Sequence, residues 1–110
     1  ADDTHGCIDR LRAVAPLSFG RALAAVRYSY TRPDGTVAAG ALADDAYSIN
    51  VVRTLTDPTL PYERGVAVRD QYLAALRGWL NAADADPASQ RRYIMREAIR
   101  QLCAAALGPA

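Results

Sequence analysis

The sequence predicts a mainly α protein, an irregular bundle of four to five short helices in which the first helix is disulfide-linked to the last. Three observations carry this expectation. Four separate stretches repeat apolar residues at three- and four-residue steps, whereas only one alternates at the period of a strand. The two cysteines, Cys7 and Cys103, fall on the apolar faces of the first and last helical stretches. A chain of 110 residues, 51% of them hydrophobic, forms a single domain spanning 1–110 with an ordinary core.

The last helix has the clearest signals. Asp86 is placed to cap it and Pro87 sits just inside, where a missing amide costs nothing. Gly108 and Pro109 mark its end. Between them Ile94, Met95, Ala98, Ile99, Leu102, Cys103 and Ala106 make an inward stripe, with Arg92, Arg96 and Arg100 on the opposite side. Near the start, Thr4 is read as the cap of a short helix bearing Cys7, Ile8, Leu11 and Val14 or Ala15, which Pro16 ends; a second runs from Ser18 through Phe19 to Ala25.

At Val26 the period changes. Val26, Tyr28 and Tyr30 alternate with Arg27, Ser29 and Thr31, and Pro33-Asp34-Gly35 supplies turn residues. Two readings of 26–39 follow: a small β-hairpin, or a continued helix with an interhelical turn. Asp44 or Asp45 then caps a third helix with Tyr47, Val51, Val52 and Leu55, stopped near Asp57-Pro58. A fourth begins at Tyr62 or Glu63 and carries Val66, Tyr72, Leu73, Leu76, Trp79 and Leu80. Gly78 inside it implies that another element comes close.

Thirteen basic residues, all arginine, against twelve acidic ones give a formal charge of +1, which supplies no bulk field for nucleic acid or an anionic membrane. No apolar run approaches the roughly 20 residues that span a bilayer, so membrane insertion is not expected. A Cys7–Cys103 bond needs an oxidising compartment, and the opening Ala-Asp-Asp-Thr resembles a mature end after signal-peptide removal; the expectation is a periplasmic or secreted protein.

Several groups invite a chemical reading. His5, Cys7 and Cys103, with Asp2 or Asp3, offer zinc ligands or a thiol and base, but not at the paired spacing of zinc sites. Asp44-Asp45 and Asp84-x-Asp86 read as helix caps or linker solvation rather than cation sites. The arginine stripe reads as a solvated face, and the interleaved Arg27, Tyr28, Tyr30 and Arg32 as core aromatics. No metal, cofactor or catalytic residue is assigned.

What remains is binding. The segment Thr56 to Gly65 holds Leu60, Tyr62 and Arg64 between prolines, and a stiff loop loses little entropy when it docks. With Arg32 and Asp34 in the other turn, it defines the expected surface of a non-catalytic protein-binding module of the inhibitor, immunity or adaptor kind, from a bacterial envelope. The alternative is a carrier or sensor of a small apolar ligand, held between helices by Tyr47, Tyr72, Trp79 and Met95.

Overall fold

A computed structural model describes residues 3–108. Five helices and one antiparallel hairpin follow in the order α1 (Thr4–Leu11), α2 (Pro16–Ala25), β1 (Arg27–Thr31), β2 (Val37–Ala41), α3 (Ala46–Leu55), α4 (Tyr62–Asp84) and α5 (Arg91–Leu107), with a 3₁₀ turn at Pro87–Ser89. The mainly α class therefore holds, and a bond between Cys7 and Cys103 joins α1 to α5 with their Cα atoms 6.3 Å apart. Not all helices are short: α4 has 23 residues.

The core lies where α2, α4 and α5 meet, filled by Ile8, Leu11, Phe19, Leu23, Leu76, Leu80, Ile99 and Leu102 around the ring of Tyr72. Phe19 meets that ring edge-on at 6.1 Å. The Tyr72 hydroxyl is paired with Ser48 Oγ on α3 at 2.9 Å, so the one hydroxyl that α4 carries into the core is satisfied. Burial pushes the Tyr72 phenol well above its ordinary range, which keeps it neutral.

The region 26–39 is a hairpin. Arg27 pairs with Ala41 and Thr31 with Val37, in a regular ladder. Its loop is Pro33-Asp34-Gly35: Gly35 N donates to Arg32 O at 2.9 Å and Arg32 N to Thr36 O at 2.8 Å. Gly35 takes φ +87°, which a side chain would oppose, and this three-residue loop matches the twist of the strands. The helical alternative loses because Tyr28 and Tyr30 alternate toward α5, where Tyr30 stacks on Tyr93 at 5.8 Å.

Four boundaries differ from expectation. Thr4 is the first residue of α1 rather than its cap; Asp3 takes the cap position, without a side-chain bond. Pro16 opens α2 instead of closing α1, which stops at Leu11, because proline fits a first turn where no amide partner is needed. The last helix is not continuous from Asp86. Gln90 adopts φ 65°, Ser89 Oγ accepts from Arg91 N at 3.3 Å, and α5 starts afresh at Arg91. Tyr30 Oη donates to Gln90 Oε1 at 2.9 Å, so a long-range contact holds the break. Gly108 does close α5, with φ 78°; Pro109 and Asp2 lie outside the described residues.

Gly78 lacks the close neighbour that its place in the helix implies: a Cβ there would meet nothing within 4 Å. With no packing reason for glycine in the middle of α4, Gly78→Ala should stabilise the protein by about 0.5 to 1 kcal/mol in urea unfolding.

Asp45 caps α3 as expected, accepting from Ser48 N at 3.0 Å. Burial pushes its carboxyl up, but the hydrogen bonds from Ser48 outweigh that and hold it below the ordinary value. A lowered folded pKa stabilises the fold above the unfolded value of about 3.9, and the contribution is lost as pH falls through the folded value. Asp45→Ala should cost about 1 kcal/mol near neutral pH. That difference should shrink when unfolding is measured below about pH 4.

Candidate functional site

Leu55 ends α3, and the chain turns into α4 through six residues held by local hydrogen bonds. Thr56 Oγ1 donates to Val52 O at 2.7 Å. Asp57 Oδ1 accepts from Thr59 N at 2.9 Å and from Thr59 Oγ1 at 2.8 Å. These bonds hold the Asp57 carboxyl below its ordinary range and so keep it ionised beside the turn. Leu60 N closes onto Asp57 O at 3.1 Å. Pro58 and Pro61 fix two further dihedrals, which leaves the segment little freedom.

The stiff turn lies against the start of α2. A Cβ on Gly65 would come within 2.8 Å of Pro16 Cβ, so the first turn of α4 approaches α2 as closely as glycine permits. Between them is a groove of about 300 Å³ lined by Pro16, Leu17, Leu55, Leu60, Pro61 and Tyr62, with Asp57 at its edge. Leu60 is half-buried and packs on the core, sealing the end of the helices. Tyr62 does not: its residue surface is 68% exposed, more than that of any other large hydrophobic residue described. Leu17 beside it is 42% exposed. Arg64 is exposed on the flank of α4 toward Val68 and Gln71.

The other expected binding loop is elsewhere. Tyr30 reaches Gln90 and Tyr93 at the start of α5, next to the end of α4, whereas Tyr62 begins α4. A helix of that length spans roughly 35 Å. Arg32 and Asp34 therefore belong to a second surface, at the opposite end of the molecule from Leu60, Tyr62 and Arg64. Their side chains serve the turn: Arg32 Nη1 donates to Thr36 Oγ1 at 3.2 Å, and Asp34 Oδ1 accepts from Thr36 N at 2.9 Å and Oγ1 at 2.6 Å. The Asp34 carboxyl is held below its ordinary value by those Thr36 bonds.

The four residues of the alternative pocket do not line one cavity together. Tyr47, Tyr72 and Trp79 pack on one another, with centroids 5.7 Å apart for Tyr47–Tyr72, 5.7 Å for Tyr72–Trp79 and 6.2 Å for Tyr47–Trp79. Tyr72 is wholly inside the core. Trp79, on the outer side of that cluster, borders with Met95 a groove of about 450 Å³ that Tyr28, Leu42 and Ile94 also line.

The remaining groups are engaged in the fold. Cys7 and Cys103 are bonded to each other, which removes both thiolates. His5 Nδ1 faces Arg77 Nη1 at 3.0 Å, and Arg77 also pairs with Asp9. Asp84 accepts from Arg96 Nη1 at 2.5 Å and Nη2 at 3.1 Å, which holds its carboxyl below the ordinary value. Arg100 pairs with Glu97 at 2.6 Å, and Arg92 lies 4.8 Å from the Tyr93 ring centroid. Arg92 Nη2 also donates to Tyr93 Oη at 2.8 Å, while its buried Nε has no hydrogen-bond partner among the described residues. Apart from that atom, the stripe is engaged with Tyr93, Asp84 and Glu97.

Two residues of note were not singled out from the sequence. Leu17 falls off the Phe19, Gly20 and Leu23 face of α2, and that offset was the available signal for an exposed leucine. Arg69 is buried, 6% exposed, on a helix face otherwise apolar. Its Nη1 donates to Val14 O at 2.6 Å and its Nη2 pairs with Asp70 at 2.8 Å, so it fastens the α1–α2 turn to α4. No helix among the described residues is long and apolar enough to cross a membrane. Comparison with family models, characterised proteins and solved structures finds no match to this chain.

Proposed function

We propose that this chain is a non-catalytic protein-binding module, exported to a periplasmic or secreted location, that engages its partner through the face formed by Leu17, Leu60, Pro61 and Tyr62. One observation carries the reading: the Tyr62 side chain stands 68% exposed at the first residue of α4, directly after a turn stiffened by two prolines and the Asp57–Thr59 hydrogen bonds. Among the described residues no hydrogen bond or ring contact engages the Tyr62 side chain, and rigid presentation of such a group is what a binding anchor requires. The disulfide supports export, since such bonds persist in oxidising compartments. An inhibitor or adaptor role fits a chain whose cysteines are consumed by their bond and whose one histidine is tied to a surface arginine. A photo-crosslinking residue in place of Tyr62 should capture one discrete partner from the producing cell's envelope. The same residue at exposed Arg21 should not; equal capture from both positions would refute the assignment.

A second reading has its own observation, the 450 Å³ groove beside Trp79 and Met95. A small apolar ligand there would touch the chain's one tryptophan. Titration with apolar probes should then shift Trp79 emission saturably, and an unchanged spectrum would dismiss this reading.

A further inference from the structure

We propose that the outer edge of β2 pairs with the same edge of a second copy of this chain, antiparallel about a two-fold axis at Ala39, to make a four-stranded sheet. Arg32 N donates to Thr36 O, so 32 and 36 form a hydrogen-bonded pair. In an antiparallel ladder such pairs alternate, and the unbroken register makes Tyr30–Ala38 and Tyr28–Gly40 the next two. Val37, Ala39 and Ala41 consequently turn their N–H and C=O groups away from β1. Among the described residues, no other strand meets that edge.

Edges of this kind are ordinarily protected by a charge, a proline, a bulge or a covering element. Val37-Ala38-Ala39-Gly40-Ala41 contains no charge and no proline, and its register has no bulge. The strand that packs on α5 is β1, which leaves β2 outermost. Val37 is 56% exposed and Ala39 is exposed.

The occupant follows from self-complementarity. With the axis at Ala39, Ala39 faces Ala39 of the second copy, and Val37 faces Ala41 in both directions. All the outward-turned residues thus meet one another, as a two-fold interface demands. Their side chains are methyl- or isopropyl-sized, so no bulk keeps the backbones apart. Pairing also removes the weakness of a sheet with only two strands. The contact is small, and the dimer it makes is a weak one that forms with rising concentration.

Sedimentation should show a mass moving from 11.8 kDa toward twice that value as concentration rises to the millimolar range. Amide exchange should slow with concentration at Val37, Ala39 and Ala41, while Ala38 and Gly40, bonded to β1, stay protected throughout. Ala39→Lys puts two like charges opposite each other at the axis and should abolish both effects. Ser29→Lys adds the same charge on the same sheet face, one strand further in, and should leave the dimer intact. Unchanged helical circular dichroism in both variants would show that each is folded. The proposal is overturned by a single-chain mass at every concentration, by a dimer that survives Ala39→Lys, or by edge amides that slow only when a foreign partner is added.

Discussion

Replacing Cys7 and Cys103 together by alanine is expected to lower stability by about 2 to 5 kcal/mol, the range for removing a native disulfide from a small domain. The bond closes a loop with a sequence separation of 96, near the upper end of what a chain of this size offers. On the chain-entropy account such a loop restricts the unfolded ensemble by up to about 4.7 kcal/mol. The folded geometry suits the bond, since the Cα atoms are 6.3 Å apart, within the common range. The expected result is a melting temperature lower by about 10 to 25 °C, with helical circular dichroism retained below the transition. Reduction of the native protein should give a similar loss. A shift of only a degree or two would mean that α1 and α5 are held together by their packing alone.

Tyr72→Ala should be comparably damaging, by about 3 to 5 kcal/mol. The ring is wholly buried between Phe19, Tyr47 and Trp79, so truncation leaves a cavity that these large neighbours cannot all fill. It also strands Ser48 Oγ, which is fully buried. Tyr72→Phe separates the two contributions. It keeps the ring and removes only the hydroxyl, which should cost about 1 to 3 kcal/mol for the unpaired Ser48 oxygen. Urea unfolding of both variants, with Ser48→Ala in the Tyr72→Phe background, checks this division. The double variant should recover much of the single variant's loss, because both partners are then absent.

Local chemistry made much of this fold readable. Asp45 and its following apolar run predict α3, the broad apolar face from Val66 to Leu80 predicts α4, and Pro33-Asp34-Gly35 predicts the turn that the hairpin uses. Each of these signals acts over a few residues. The misread features answer to distant partners. The break at Gln90 depends on Tyr30, sixty positions earlier, and on Ser89 competing for the Arg91 amide. Arg69 is buried because a carbonyl at Val14 and the adjacent Asp70 satisfy it, whereas its type alone places it in water.

The candidate site divides in the same way. Tyr62 was identifiable from the prolines around it. Leu17 was not, because nothing local brings Pro16 and Leu17 to the first turn of α4; the close approach at Gly65 does that. The pairing of this loop with Arg32 and Asp34 likewise fails because α4 separates them.

On the proposed function, Tyr62 is held in water in order to bind. Tyr62→Ala tests it on one variant, through its melting temperature and its affinity for the partner captured at that position. The expected result is affinity weaker by about 1 to 3 kcal/mol, which is roughly 5- to 160-fold, with a melting temperature within a degree or two of the native value. A melting temperature lowered by 10 °C or more, of the order expected on emptying a buried aromatic site, together with native affinity, would contradict it.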